Sequence, residues 1–321
     1  MNLDRNKELF SDAILLASDH LKINPIYIEK DYWITRSLKM LQQGPEAEKA
    51  IFKGGTSLTK AYRIGNRFSE DIDIAIANAD ELSGNQLKTL MKKISGSMTE
   101  GLTEIDVSGV TSKGSKYRKA VYLYPSMMES VNDNVIKEGQ ILVEINSYAN
   151  PYPFEQREIS SFLYEYFKAI NRNDLIDEYQ LHPFSLRVLD KRQTLTEKMV
   201  SLLRQSLSKN YQNDLGSKIR HFYDIHYLLQ DKECCSYVNS GEFLKDFNIL
   251  WKHDQGVFDS PEGWKDKNPE ETLLINDFPN LWKLLKVIYS RELPLLAFSE
   301  IPEESKVEES FIRIANCLNS K

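Results

Sequence analysis

From the start of the chain to about residue 43 the apolar positions fall at helical spacing. Leu9, Ile14, Leu15 and Leu21 supply part of one apolar face, and Asn24 and Pro25 interrupt it. A proline suits a helix start, where its missing N–H is not needed. IYIEKDYWITRSLKMLQQ therefore predicts a second helix, with Ile28, Tyr32, Ile34 and Leu38 among its apolar positions. Gly44, Pro45 and Glu46 break it. The period then shortens. AIFKGG predicts a short strand entering a glycine turn, TSLTKAYRI a short helix, and EDIDIAIA a strand with clear alternation. Leu87 to Ile94 predicts a helix, and VYLYPS and QILVEINSY predict two further strands rich in Tyr, Val and Ile. Helical spacing returns from about Leu189, through LDKRQTLTEKMVSLLRQSL, SKIRHFYDIHYLLQ, FLKDFNILWK and PNLWKLLKVIYSREL to a last helix, FIRIANCLN. The Pro- and charge-bearing stretch NPYPFEQREIS marks the expected boundary. The reading is α+β: N-terminal helices at 1–43, a core of mixed sheet and flanking helices at 44–160, and a helical C-terminal domain at 161–321.

Composition narrows this picture without changing it. The 321 residues, 41% hydrophobic and 27% charged, give a globular chain with a sizeable core. A net charge of −6 supplies no global basic field for nucleic acid. Two local clusters remain. TSKGSKYRKA holds Lys113, Lys116, Arg118 and Lys119, and residues 186–220 carry eight Lys or Arg against Asp190, Glu197 and Asp214. With Tyr117 and Tyr211 among them, such patches suit an RNA acceptor end by phosphate contact and stacking, and they suit a solvated surface equally well. The five histidines show no shared metal spacing. Cys234, Cys235 and Cys317 form no C-x-x-C, which argues against structural zinc and disulfide scaffolding and for a reducing cytoplasm. The opening segment lacks the apolar core of a signal peptide, and no apolar run is long enough for a bilayer, so no membrane partner is expected.

The chemistry concentrates in FKGGTSLTKAYRIGNRFSEDIDIAI, residues 52 to 76. In a strand, side chains at i and i+2 share a face. Asp71 and Asp73 are thus expected to project together, with Ile72, Ile74 and Ile76 toward the core. Two carboxylates on one face repel unless a cation lies between them, and oxygen ligands of this kind suit Mg²⁺ or Mn²⁺. Gly54 and Gly55 lead from a strand to a helix, where backbone N–H groups, with the Thr56 and Ser57 hydroxyls, make an anion cradle. Lys60, one turn on from Thr56, could add positive charge. Metal-assisted phosphoryl or nucleotidyl transfer needs both ends of this arrangement. It is not a Walker A loop, since G-x-x-x-x-G-K-[ST] is absent.

KGGTSLTKAY followed by RFSEDIDI resembles the AbiEii/AbiGii-type toxin nucleotidyltransferases, of the polymerase-β-like nucleotidyltransferase superfamily. IEKDYWIT at 28–35 is similar to that family's N-terminal helix, and TLTEKMVSLLRQS and RHFYDIHYLL to its later helical motifs; the likeness covers roughly residues 25 to 230. The resemblance implies nucleotide binding at Gly54, Gly55, Thr56 and Ser57, metal binding at Asp71 and Asp73, and Lys198 and Asp224 beside the nucleotide. A third carboxylate, usually an Asp from a later strand, is here offered by Glu144 of ILVEINSY. Bland readings stand beside these: a solvated polar stripe of Thr194, Lys198, Ser201 and Gln205, an i,i+4 pair of Arg220 with Asp224, and capping or packing for Arg67 and Ser69. The resemblance further implies an NTP substrate, a tRNA 3′ end or a protein as acceptor, and a separate antitoxin in a type IV toxin–antitoxin or abortive-infection pair. A non-catalytic nucleotide or RNA binder on the same fold is the alternative, with a metal-dependent phosphohydrolase as a third reading.

Overall fold

A computed structural model describes residues 1–69, 71–128, 139–149 and 151–319. The chain forms two compact units, one of residues 1–62 and 68–189, the other of residues 63–67 and 190–321. The first contains helices α1 (Lys7–Leu21), α2 (Pro25–Gln43), α3 (Gly54–Lys60), α4 (Gly84–Met98), α5 (Phe162–Ala169) and α6 (Asn173–Glu178). Its strands are β1 (Ala50–Lys53), β2 (Asp71–Ile76), β3 (Thr103–Ile105), β4 (Ser112–Lys113), β5 (Tyr117–Leu123), β6 (Gln140–Asn146), β7 (Phe154–Ile159) and β8 (Phe184–Leu189).

The expected α+β architecture, a mixed sheet with flanking helices, is present. The strands follow the order β3-β5-β6-β2-β1-β8-β7, with β4 paired to β5. β2 runs parallel to β6 and antiparallel to β1, and β1 runs parallel to β8. Register follows from burial. Ile72, Ile74 and Ile76 are fully buried, whereas Asp71 and Asp73 are half-buried. Each buried isoleucine contributes about 1.5–3 kcal/mol, and a one-residue slip would trade those side chains for carboxylates. Asn24 caps α2 by accepting from the Ile26 N–H at 3.0 Å, with Pro25 in the first turn. α2 contacts β6 and β8.

The expected domain boundary near residue 160 differs from the one found. NPYPFEQREIS lies mostly within β7, which pairs antiparallel with β8 from Phe154 opposite Leu189 to Ile159 opposite Phe184; its first residue, Asn150, lies outside the described residues. β7 is the last strand of the order, and its run of polar residues, Glu155 to Glu158, half-buried or exposed, weakens the apolar alternation that marks a strand. The two units part at Leu189 and Asp190 instead.

The second unit is helical: α7 (Lys191–Gln205), α8 (Tyr211–Gly216), α9 (Ile219–Gln230), α10 (Lys232–Val238), α11 (Gly241–Val257), α12 (Leu273–Asn276), α13 (Phe278–Leu296) and α14 (Glu304–Asn319). Phe222, Phe278, Trp282 and Phe311 form its aromatic centre. The segment 63–67 belongs here: the Asn66 N–H donates to the Tyr223 hydroxyl at 3.0 Å, and the Phe298 N–H to the Asn66 carbonyl at 2.9 Å. Among the described residues no helix is long and apolar enough to cross a membrane.

Candidate active site

In the first unit β1 delivers the chain into α3 through Gly54, and β2 returns alongside it with Lys53 opposite Asp73. Gly54 has φ +79°, a left-handed conformation that favours glycine. A Cβ there would meet the Asp73 carboxylate, lying 2.8 Å from its Cγ. The glycine turn and the acid pair are thus in direct contact. Asp71 and Asp73 project from one face of β2, as expected, with the isoleucines on the other.

The hydroxyls of the turn do something different from the sequence expectation. The Thr56 hydroxyl donates to the Asp71 backbone carbonyl, and the Ser57 hydroxyl donates to the Gly54 carbonyl at 2.8 Å. Both side chains are buried. They fasten α3 to β2 and brace the turn rather than offering an oxygen outward. Lys60 is also spent elsewhere. Its ammonium pairs with Asp31 of α2, both buried, and the second Asp31 oxygen accepts from the Phe162 N–H at 2.9 Å. That pair ties α2, α3 and α5 together and commits the Lys60 ammonium to Asp31.

Glu144 stands opposite Asp73 on the neighbouring parallel strand. Its Oε1 lies 2.5 Å from the Lys119 ammonium, and its Oε2 accepts from the Tyr117 hydroxyl at 2.8 Å. Burial, and then Glu144, raise the Tyr117 phenol above its ordinary range, which keeps it a donor. The donor set fits a hard divalent cation at Asp71 and Asp73: two carboxylates on one face, half-exposed, with Gly54 packed against Asp73. Among the described residues no group of three or more His, Cys, Asp or Glu converges as a metal cluster.

In the helical unit Arg67 grips Asp224 with Nε to Oδ1 at 2.8 Å and Nη2 to Oδ2 at 2.7 Å. The Lys198 ammonium reaches Oδ2 at 2.7 Å. All three side chains are buried. Burial alone would raise the Asp224 carboxyl, but Arg67 and Lys198 outweigh it and hold it at about 2. This trio carries one positive charge in excess. Burial, together with Lys198, Lys218, Arg67 and Arg220, keeps the His221 imidazole well below its ordinary range. Lys198 therefore sits in a buried ion cluster, not on a solvated stripe.

The chain belongs to the AbiEii nucleotidyltransferase toxin family. The family model, described as nucleotidyl transferase AbiEii toxin of type IV toxin–antitoxin systems, matches residues 36–304. That span reaches beyond residue 230 into the C-terminal helices and starts just after IEKDYWIT. A search of the curated proteins found no match. Among solved structures, the fold is similar to MenT4, a nucleotidyltransferase toxin of Mycobacterium tuberculosis H37Rv. The TM-score is 0.54 at 15% identity, over 94% of this chain and 89% of that one. A candidate nucleotidyltransferase of H. pylori covers 83% of this chain and 96% of its own at 16% identity, with a TM-score of 0.39. For this AbiEii-family chain the shared fold is that of a nucleotidyltransferase.

Three further residues matter that the sequence reading passed over or left as packing. Arg67 shares the Asp224 carboxylate with Lys198, a partnership spanning 157 positions and invisible to local spacing. Asp31 takes the charge of Lys60. Glu29 accepts from the Met127 and Met128 N–H groups at 2.6 and 3.2 Å, so it caps backbone near the end of β5. The basic clusters are also less available than their counts imply. Lys113 and Arg118 pair with Glu104, Lys119 with Glu144, Lys191 with Asp231 and Glu233, Arg192 with Asp190, and Lys209 with Glu262.

Gly54→Ala tests the contact between turn and acid. The new methyl would displace the Asp73 carboxylate and strain a left-handed residue, at about 1–2 kcal/mol for the backbone. Activity is expected to fall about a hundredfold with the thermal midpoint only slightly lowered, because a small displacement of a reacting group suffices for that loss. Assay turnover and melting in parallel; near-normal turnover would show that Asp73 need not stay where it is.

Proposed function

We propose that this chain transfers a nucleoside monophosphate from an NTP to an acceptor and releases pyrophosphate. The observation that supports it is the packing of Gly54 against Asp73, which brings an open turn and an acid pair into one place. The backbone N–H groups of the turn, those of Gly54 and Gly55 among them, receive phosphate oxygens. Thr56 and Ser57 act through their hydrogen bonds by keeping that turn on β2. Asp71 and Asp73 would hold Mg²⁺ or Mn²⁺, which when bound neutralises phosphate charge and polarises the α-phosphate. The acceptor oxygen forms a bond to the α-phosphorus and loses its proton, and the bond from that phosphorus to the β-phosphate oxygen breaks. We assign Lys198 to a phosphate of the nucleotide and Asp224 to holding it, as the family resemblance implies. The acceptor is a tRNA 3′ end or a protein. The family description, a type IV toxin–antitoxin system, supports a toxin role with a separate antitoxin protein; we place its action in the cytoplasm.

The test is direct. Purified protein is incubated with each α-labelled NTP, Mg²⁺, total RNA and lysate protein. Label should become covalently attached to one acceptor fraction, with pyrophosphate released, and EDTA should abolish both. Labelled free nucleotide with nothing attached would replace this reading by hydrolysis, and nucleotide binding without turnover would replace it by a binding role.

A further inference from the structure

Glu144 occupies the place where a third acid is expected, yet its surroundings are not those of a metal ligand. Lys53, Asp73, Glu144 and Lys119 stand opposite one another across β1, β2, β6 and β5. Register partners project to the same face, with neighbouring strands about 4.8 Å apart. The row runs cation, acid, acid, cation, with the two acids adjacent. Two carboxylates directly opposite each other destabilise a sheet unless compensated, and Lys119 supplies that compensation to Glu144 at 2.5 Å. The other Glu144 oxygen is bonded to the Tyr117 hydroxyl. Both oxygens are therefore engaged by donors from β5, and the carboxylate would have to surrender one of them to reach a cation.

Resting on the transferase reading above, we propose that Glu144 is a positioning residue, which holds Lys119 and Tyr117 on the acceptor side of the acid pair. The geometry gives the side. The glycine turn continues from β1, so it flanks Asp73 on one hand, while β6 and β5 flank it on the other. In-line displacement places the leaving and attacking oxygens on opposite sides of phosphorus. With the triphosphate tail at the turn, the incoming group approaches from the side of Glu144. Lys119 keeps 25% of its side chain accessible there, enough to meet an anionic acceptor. Tyr148, with its ring centroid 6.2 Å from that of Tyr117, adds a second aromatic ring beside it.

Glu144→Gln, Lys119→Met and the double variant test this. Gln keeps a partner for Tyr117, and Lys119→Met gives an independent reading should Gln fail to fold. On whichever fraction the wild type labels, total RNA or lysate protein, each single variant should raise acceptor half-saturation about tenfold with the NTP KM within about twofold. The double variant should lose no more than the worse single one, because the pair acts as a unit. Titration with Mn²⁺ alone should give the same affinity for Glu144→Gln as for wild type, and a weakened one for Asp73→Asn. Loss of Mn²⁺ affinity in Glu144→Gln overturns the proposal, as does loss of turnover there with Lys119→Met near normal. If the wild type labels neither fraction, the transferase reading fails and the Mn²⁺ titration decides alone: unchanged affinity in Glu144→Gln keeps it out of the metal set. A wild type that binds no Mn²⁺ overturns both.

Discussion

Replacing Asp71 and Asp73 together by Ala should lower label transfer by about a thousandfold or more, near 4 kcal/mol of lost transition-state stabilisation. The fold should survive. Both side chains are half-buried on the face opposite the isoleucines, so the buried contribution of Ile72, Ile74 and Ile76 is untouched. Removing two like charges at i and i+2 relieves their mutual repulsion but takes Asp73 from opposite Lys53, so the melting temperature should change little. Thr56 bonds to the Asp71 backbone rather than its side chain, so the turn keeps its anchor in the variant. Transfer is read in single turnover and the fold by thermal melting. Retention of more than about a tenth of wild-type transfer would remove the acid pair from the chemistry, since a metal-holding pair accounts for far more than that.

Asp224→Ala is expected to have the largest effect on stability. It leaves Arg67 and Lys198 buried without their carboxylate, and breaking such an ion cluster costs about 3–5 kcal/mol. Urea unfolding followed by tryptophan emission, with Trp251, Trp264 and Trp282 in the helical unit, should show the midpoint of that unit falling sharply. The same carboxylate sets a pH dependence. Its pKa is held at about 2, below its ordinary value of 3.8. The folded state therefore binds this proton less readily than the unfolded one. The stabilisation is fully present above about pH 4, and about 2 kcal/mol is lost as pH falls toward 2. A wild-type stability curve flat across that window, or an Ala variant as stable as wild type, would mean the cluster is not held together as described.

Much of the first unit was legible in order. The alternation of DIDIAI announced a strand with its acids on one face, and helical spacing announced α1, α2 and the long C-terminal helices. β7 was missed because a strand at the end of the sheet, with polar residues along it, blurs the period-two signal. β8, an interior strand with Leu186, Val188 and Leu189 buried, was missed because its apolar run merges into the helical spacing that begins at Leu189. Charge counts misled for a related reason. Lys113, Arg118, Lys119, Lys191 and Lys209 read as a basic surface until acids from elsewhere in the chain came to stand against them.

What the sequence by itself determined was local: which residues alternate, which turn needs glycine, and which carboxylates share a strand face. These follow from periods of two and 3.6 residues and from the backbone freedom of glycine. The tertiary structure alone decided partnership. Lys60 is drawn to Asp31, Thr56 to a backbone carbonyl, Glu144 to Lys119, and Asp224 to Arg67 and Lys198. A charged or hydroxyl side chain leaving water takes the nearest complementary group that folding brings up, and no spacing along the chain encodes which one that is.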